Sequence, residues 1–123
     1  MIDILAYKLV HLIGIMMLFM AMGASFVHAF NGGLKSENRW RTAIGITHGI
    51  GLFLVLLGGF GMLARLDIPW PWDGWVFAKL IIWVAFGGMT VLIQKAGRNG
   101  TWLWYVMLVL GLLAAYLALY KPF

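Results

Sequence analysis

Four stretches of this chain are each about twenty residues or longer, contain no acidic residue and carry at most one Lys or Arg. They run from about Ile4 to Phe30, Thr42 to Leu66, Trp75 to Gln94 and Thr101 to Tyr120. A helix crosses the hydrocarbon core of a bilayer with about 20 apolar residues. Inside lipid the backbone must satisfy its own hydrogen bonds, which continuous helices do. The connections are short and hold breaker residues: Asn31-Gly32-Gly33, Asp67 to Gly74, and Ala96 to Gly100. Short connections make neighbouring helices antiparallel. The expected architecture is an all-α, integral membrane four-helix bundle with up-down-up-down topology, one domain over residues 1–123.

Composition excludes the alternatives. The chain is 63% hydrophobic and 11% charged, with a mean hydropathy of +0.94. Soluble domains are about 25% charged, and a short chain cannot hide this much apolar surface in a soluble core. Zero cysteines remove disulfides, zinc–thiolate and iron–sulfur sites and thiol catalysis. The net charge of +5 includes no basic run, so it does not point to nucleic acid.

The charges instead mark topology. The first and third connections hold Lys35, Arg39, Arg41, Lys95 and Arg98, whereas Asp3, Asp67 and Asp73 lie on the other side. Basic loops stay on the cytoplasmic side, so both termini are expected on the non-cytoplasmic side of a bacterial inner membrane. The first stretch reads as a retained helix and not a signal peptide, because Asp3 precedes Lys8 and the apolar run is long.

Between helices in lipid, small and polar residues mark packed faces. On the first helix Tyr7, His11, Gly14, Leu18, Ala21, Ser25 and His28 form one stripe. On the second, His48, Gly51, Val55, Gly58, Met62 and Arg65 do the same, with Gly45, Gly49, Gly59 and Gly61 beside them. The third offers Lys79, Trp83, Gly87, Thr90 and Gln94; the fourth offers Gly111, Ala115 and Ala118, with Tyr116 and Tyr120 alongside. Glycines at such spacing are mostly packing residues. The methionines scatter around the helices as apolar filler and form no copper path.

Ionisable groups at membrane depth are costly and mark candidate sites. His28 and His48 fall within about one turn of each other in level if the first two helices are antiparallel. Two imidazoles on facing helices suit the axial positions of a b-type haem, which makes them the candidate metal ligands. Hydrogen-bonded or hydrated histidines are the plainer reading. His11, Lys79 and Arg65, with Lys8 and Tyr116 or Tyr120, form a second candidate cluster. It would suit an anionic group such as a haem propionate or lipid phosphate, or a quinone carbonyl. The plainer reading there is snorkelling to the interface and pairing with Asp3, Asp67 or Asp73. No nucleophile with a partner base, no paired intramembrane carboxylates and no phosphate loop stand out.

Tyr7-Lys8-Leu9-Val10-His11-Leu12-Ile13-Gly14 resembles the opening helix of the HemJ-type protoporphyrinogen oxidase and CopD-domain group. Gly74-Trp75-Val76-Phe77-Ala78-Lys79-Leu80 is similar to the start of a later helix in that group. The resemblance implies a small membrane bundle, haem or porphyrin in the oxidase branch, and His11 and Lys79 as the group's histidine and lysine.

Two functions follow from these residues. The first is a small non-enzymatic subunit of a larger respiratory or photosynthetic membrane assembly. Its partners would be the lipid bilayer, other subunits or its own copies. The second is a haem b or porphyrin redox protein passing electrons to a quinone or cytochrome. A small transporter ranks below both, because no polar site lies at the midplane.

Overall fold

Helix replaces coil wherever the apolar stretches run. The computed structural model describes residues 3–123. Its helices are α1 (Ile4–Phe30), α2 (Arg41–Arg65), α3 (Gly74–Ala96) and α4 (Thr101–Tyr120). Short 3-10 turns occupy Lys35–Glu37 and Gly97–Gly100, and no strand occurs among the described residues. Three helical stretches are long and apolar enough to cross a membrane: Ile4–Phe30, Arg41–Arg65 and Gly74–Tyr120. The last comprises α3 and α4, joined through the second 3-10 turn.

The helix ends have local causes. The Asp3 carboxylate accepts the Ala6 N–H at 2.9 Å, satisfying one of the unpaired donors of the first turn of α1. At the end of α3, Gly97 has φ +56° and ψ −134°, a backbone conformation that a residue without Cβ adopts without steric clash. Lys121 closes α4 in the left-handed helical region, with φ +47°, and its Nζ donates to the Ala118 carbonyl at 2.8 Å.

The described chain divides into two compact units: residues 1–24 with 40–71, and residues 25–39 with 72–123. The first unit is an antiparallel pair, the early turns of α1 against α2. Its register is set by backbone proximity. A Cβ at Gly58 would lie 2.6 Å from the His11 nitrogen, and one at Gly14 would lie 2.6 Å from the Val55 nitrogen. A Cβ at Gly61 would collide with the Tyr7 ring. The seam therefore holds because residues 14, 51 and 58 lack side chains, so dispersion contacts form between backbones. Gly45 and Gly49, on the same helix, would have nothing within 4 Å of an added Cβ.

The second unit packs by a different rule. The buried residues of α3 are Trp75, Val76, Ile82, Phe86, Met89 and Ile93, and those of α4 are Leu103, Met107 and Leu117. These are large side chains at helical spacing. Gly87 of α3 and Ala115 of α4, expected on packed faces, are exposed. Small residues mark an interface only where two backbones come close, and here bulky side chains fill the space instead. The hairpin is closed at its far end, where the Trp75 N–H donates to the main-chain oxygen of Phe123 at 2.9 Å. The Phe123 ring lies against Gly74, and the Lys121 ammonium sits 5.3 Å from the Trp75 ring centroid.

The outward surfaces are apolar. Met16 and Leu5 are each 68% exposed, Ile81 71% and Leu119 77%. Patches of this kind mark a surface that something other than water covers.

Candidate functional site

The polar groups of the first unit begin with His11. Its stripe on α1 faces α2, and Gly58 brings the two backbones close enough for the ring to reach across. Nδ1 of His11 lies 2.8 Å from the carbonyl oxygen of Val55. A carbonyl only accepts, so Nδ1 carries the proton of this bond. Val55, read from sequence only as part of a stripe, is thus the histidine's partner.

His48 is buried, 7% exposed, on the same face of α2 as Gly51 and Gly58. The α1–α2 register brings it level with Ala21, which is also buried. Arg65 is exposed in the last turn of α2, and Lys8 is exposed on α1. The side chains at the sequence-derived inner position therefore differ in setting: His48 is enclosed, while Gly45 and Gly49 near it open outward.

The remaining candidates belong to the second unit. His28 is in the last turn of α1, and its Nε2 donates to the Leu34 carbonyl at 2.7 Å. The ring lies against Gly33, whose position has no room for a Cβ. The Gly33 N–H in turn donates to the His28 carbonyl at 3.0 Å. Glu37 completes the turn by accepting the Leu34 N–H at 2.7 Å. His28 thus closes the end of its own helix by folding the next segment back over it. Lys79 is half-buried on the stripe of α3 that carries Val76, Ile82 and Phe86. Tyr116 and Tyr120 pack on each other, with ring centroids 5.0 Å apart.

Sequence reading missed two features of this second unit. Phe26 and Phe30 of α1 meet Trp104 of α4, with Phe26 edge-on to Trp104 at 5.4 Å. An apolar groove of about 300 Å³ lies beside them, lined by Val27, Phe30, Thr101, Trp104 and Tyr105. The Arg98 guanidinium rests on Gly32: a Cβ there would lie 2.6 Å from its Nε and Nη2. Gly32 also has φ +77°, so the position excludes side chains twice over. The Asn-Gly-Gly sequence signalled a turn, but no local pattern signals which distant side chain will cover it.

Among the described residues, no group of three or more His, Cys, Asp or Glu side chains is placed to hold a metal ion. An axial histidine pair would need only two, so this does not bear on haem. Fold and polar geometry together define a helical membrane protein whose His11 and His28 rings bond to main-chain carbonyls. No family model, curated protein or solved structure matches the chain.

Proposed function

We propose that this protein is a small, non-enzymatic integral membrane subunit of a larger assembly in a bacterial inner membrane. In this reading it crosses the bilayer four times, α3 and α4 being separate passes, with both termini on the non-cytoplasmic side. The observation that carries the reading is the breadth of large apolar side chains left exposed on all four long helices. Two of the candidate ligands, His11 and His28, each use one ring nitrogen to donate to a main-chain oxygen and so also serve the fold. The large exposed apolar faces supply the surface that lipid and neighbouring subunits would cover.

The test is purification in mild detergent from the native membrane, followed by native electrophoresis and mass measurement. A discrete complex with other chains in fixed ratio supports the reading. A protein that runs alone as one chain at every detergent concentration sinks it.

The haem b or porphyrin alternative keeps one specific observation. A metal-bound imidazole commonly donates its second ring nitrogen to a carbonyl, which fixes its orientation. His11 has that arrangement through Val55, and the buried His48, level with Ala21 and so about 15 Å further along the helices, would belong to a separate ligand position. His28 fits the role less well, because its ring is folded onto Gly33. A bound haem would supply one-electron redox chemistry, and the histidines would orient it. A reduced-minus-oxidised spectrum with a b-type band, abolished by His48→Ala, would replace the subunit reading with this one.

A further inference from the structure

We infer that the groove between the end of α1 and the start of α4 is a binding site for one anionic phospholipid. Its acyl chain would lie along Val27, Phe30 and Trp104, and its phosphate would face Arg98. The inference rests on the membrane reading but not on the subunit reading.

The groove lies wholly within the second unit, and two of its lining residues, Phe30 and Trp104, are in ring contact. Its floor is Trp104, edge-on to Phe26, which is fully buried. Its outer wall is accessible, with Val27 55% and Tyr105 66% exposed. All five lining residues sit in the last turn of α1 or the first turns of α4. That is the depth at which aromatic rings meet the glycerol and carbonyl region of a bilayer.

The polar end of the groove is set by the same two segments. Two residues beyond Phe30 is Gly32, and three residues before Thr101 is Arg98, whose guanidinium bridges the two by lying on Gly32. Lys35 and Arg39 belong to the segment after α1, and Lys95 to the last turn of α3 just before Arg98. Glu37 is the acidic residue there, and its Oε1 already accepts the Leu34 N–H. The site is thus cationic above and apolar below, which is the inverse of an anionic phospholipid. A planar guanidinium pairs with phosphate oxygens through two N–H groups, which a lysine does not match. At about 300 Å³ the groove is at the small end of ligand sites, sized for part of one acyl chain and not for a large cofactor.

The experiment is native mass spectrometry of the detergent-solubilised full chain. Phosphatidylglycerol and phosphatidylcholine with identical acyl chains are titrated separately, with inorganic phosphate as a third probe. The expected result is one tightly held phosphatidylglycerol, bound about five- to tenfold better than phosphatidylcholine. Arg98→Gln should remove that preference while leaving the residual affinity equal for both lipids. Val27→Trp, which fills the groove from its exposed wall, should weaken both lipids alike. Helical content by circular dichroism checks that both variants fold.

Equal binding of the two lipids by the parent protein would overturn the proposal. So would an Arg98→Gln variant that keeps the preference. Displacement of the lipid by millimolar inorganic phosphate would reassign Arg98 to a free-phosphate site. A change of oligomeric mass in Val27→Trp with no change in lipid binding would assign the groove to a second copy of the chain. Failure of the membrane reading is read separately, as release of the protein from membranes by alkaline carbonate.

Discussion

Nδ1 of His11 lies 2.8 Å from the carbonyl oxygen of Val55, across a seam where Gly58 has no side chain to hold the helices apart. The hydrogen bond and the glycine depend on each other. Without the close approach the ring would not reach Val55, and without the bond an amphipathic ring would sit in apolar surroundings with one polar group unsatisfied. His11→Leu should therefore destabilise the α1–α2 pair by about 1 kcal/mol, in the range measured for hydrogen bonds between membrane helices. Reversible unfolding in mixed detergent micelles reads this directly, and an unchanged midpoint would show that the bond contributes nothing to the pairing.

The glycines of α2 should separate into two classes. Gly58→Val, and Gly14→Val on the facing helix, place new atoms against backbone, so the helices must move apart. Each should cost about 1–3 kcal/mol, the usual range for overpacking. Gly45→Ala and Gly49→Ala enter open space and should stay within about 0.5 kcal/mol of the parent. The same unfolding assay compares all four, and equal effects across them would refute the register described above.

The end of the α3–α4 hairpin depends on Phe123. Its main-chain oxygen satisfies the Trp75 N–H, and its ring covers Gly74. Deleting residues 121–123 should expose the first turn of α3, speeding hydrogen exchange at the Trp75 amide. The expected loss is about 0.5–2 kcal/mol, comparable to removing a helix cap. Gly74→Val should reproduce the effect by displacing the ring. Exchange at Met89, deep in the same helix, should be unchanged.

The segment after α1 is held down by His28. His28→Ala removes the donor to Leu34 and leaves Gly33 without the ring that packs on it. Trypsin should then cut at Lys35 about fivefold faster, the factor expected from losing about 1 kcal/mol of local stability. Cleavage at the parent rate would mean the turn is held by Glu37 alone.

Much of the helical organisation was legible in order and spacing. The long apolar stretches determined which residues become helix, because a continuous helix satisfies its own backbone in lipid. The α1 stripe through Tyr7, His11, Gly14 and Leu18 was legible too, and those residues do face α2 or lie buried. The same reasoning misplaced the packed faces of α3 and α4. Gly87 and Ala115 sit on open surface, while Ile82, Phe86 and Met107 pack inside. In a chain where nearly every residue is apolar, periodicity does not distinguish an apolar residue facing protein from one facing lipid.

The sequence by itself determined the secondary structure class, the apolar lengths and the distribution of charge, because these depend only on local composition and its solvent. Tertiary structure decided which polar groups meet which partners. His11 reaches Val55 across 44 positions, Trp75 reaches Phe123 across 48, and Arg98 reaches Gly32 across 66. Each contact exists only once two helices or segments lie side by side, and each forms beside a glycine that leaves room for it: Gly58, Gly74 and Gly32. The groove beside Phe30 and Trp104 is of the same kind: a shape made by packing, invisible until the helices are in place.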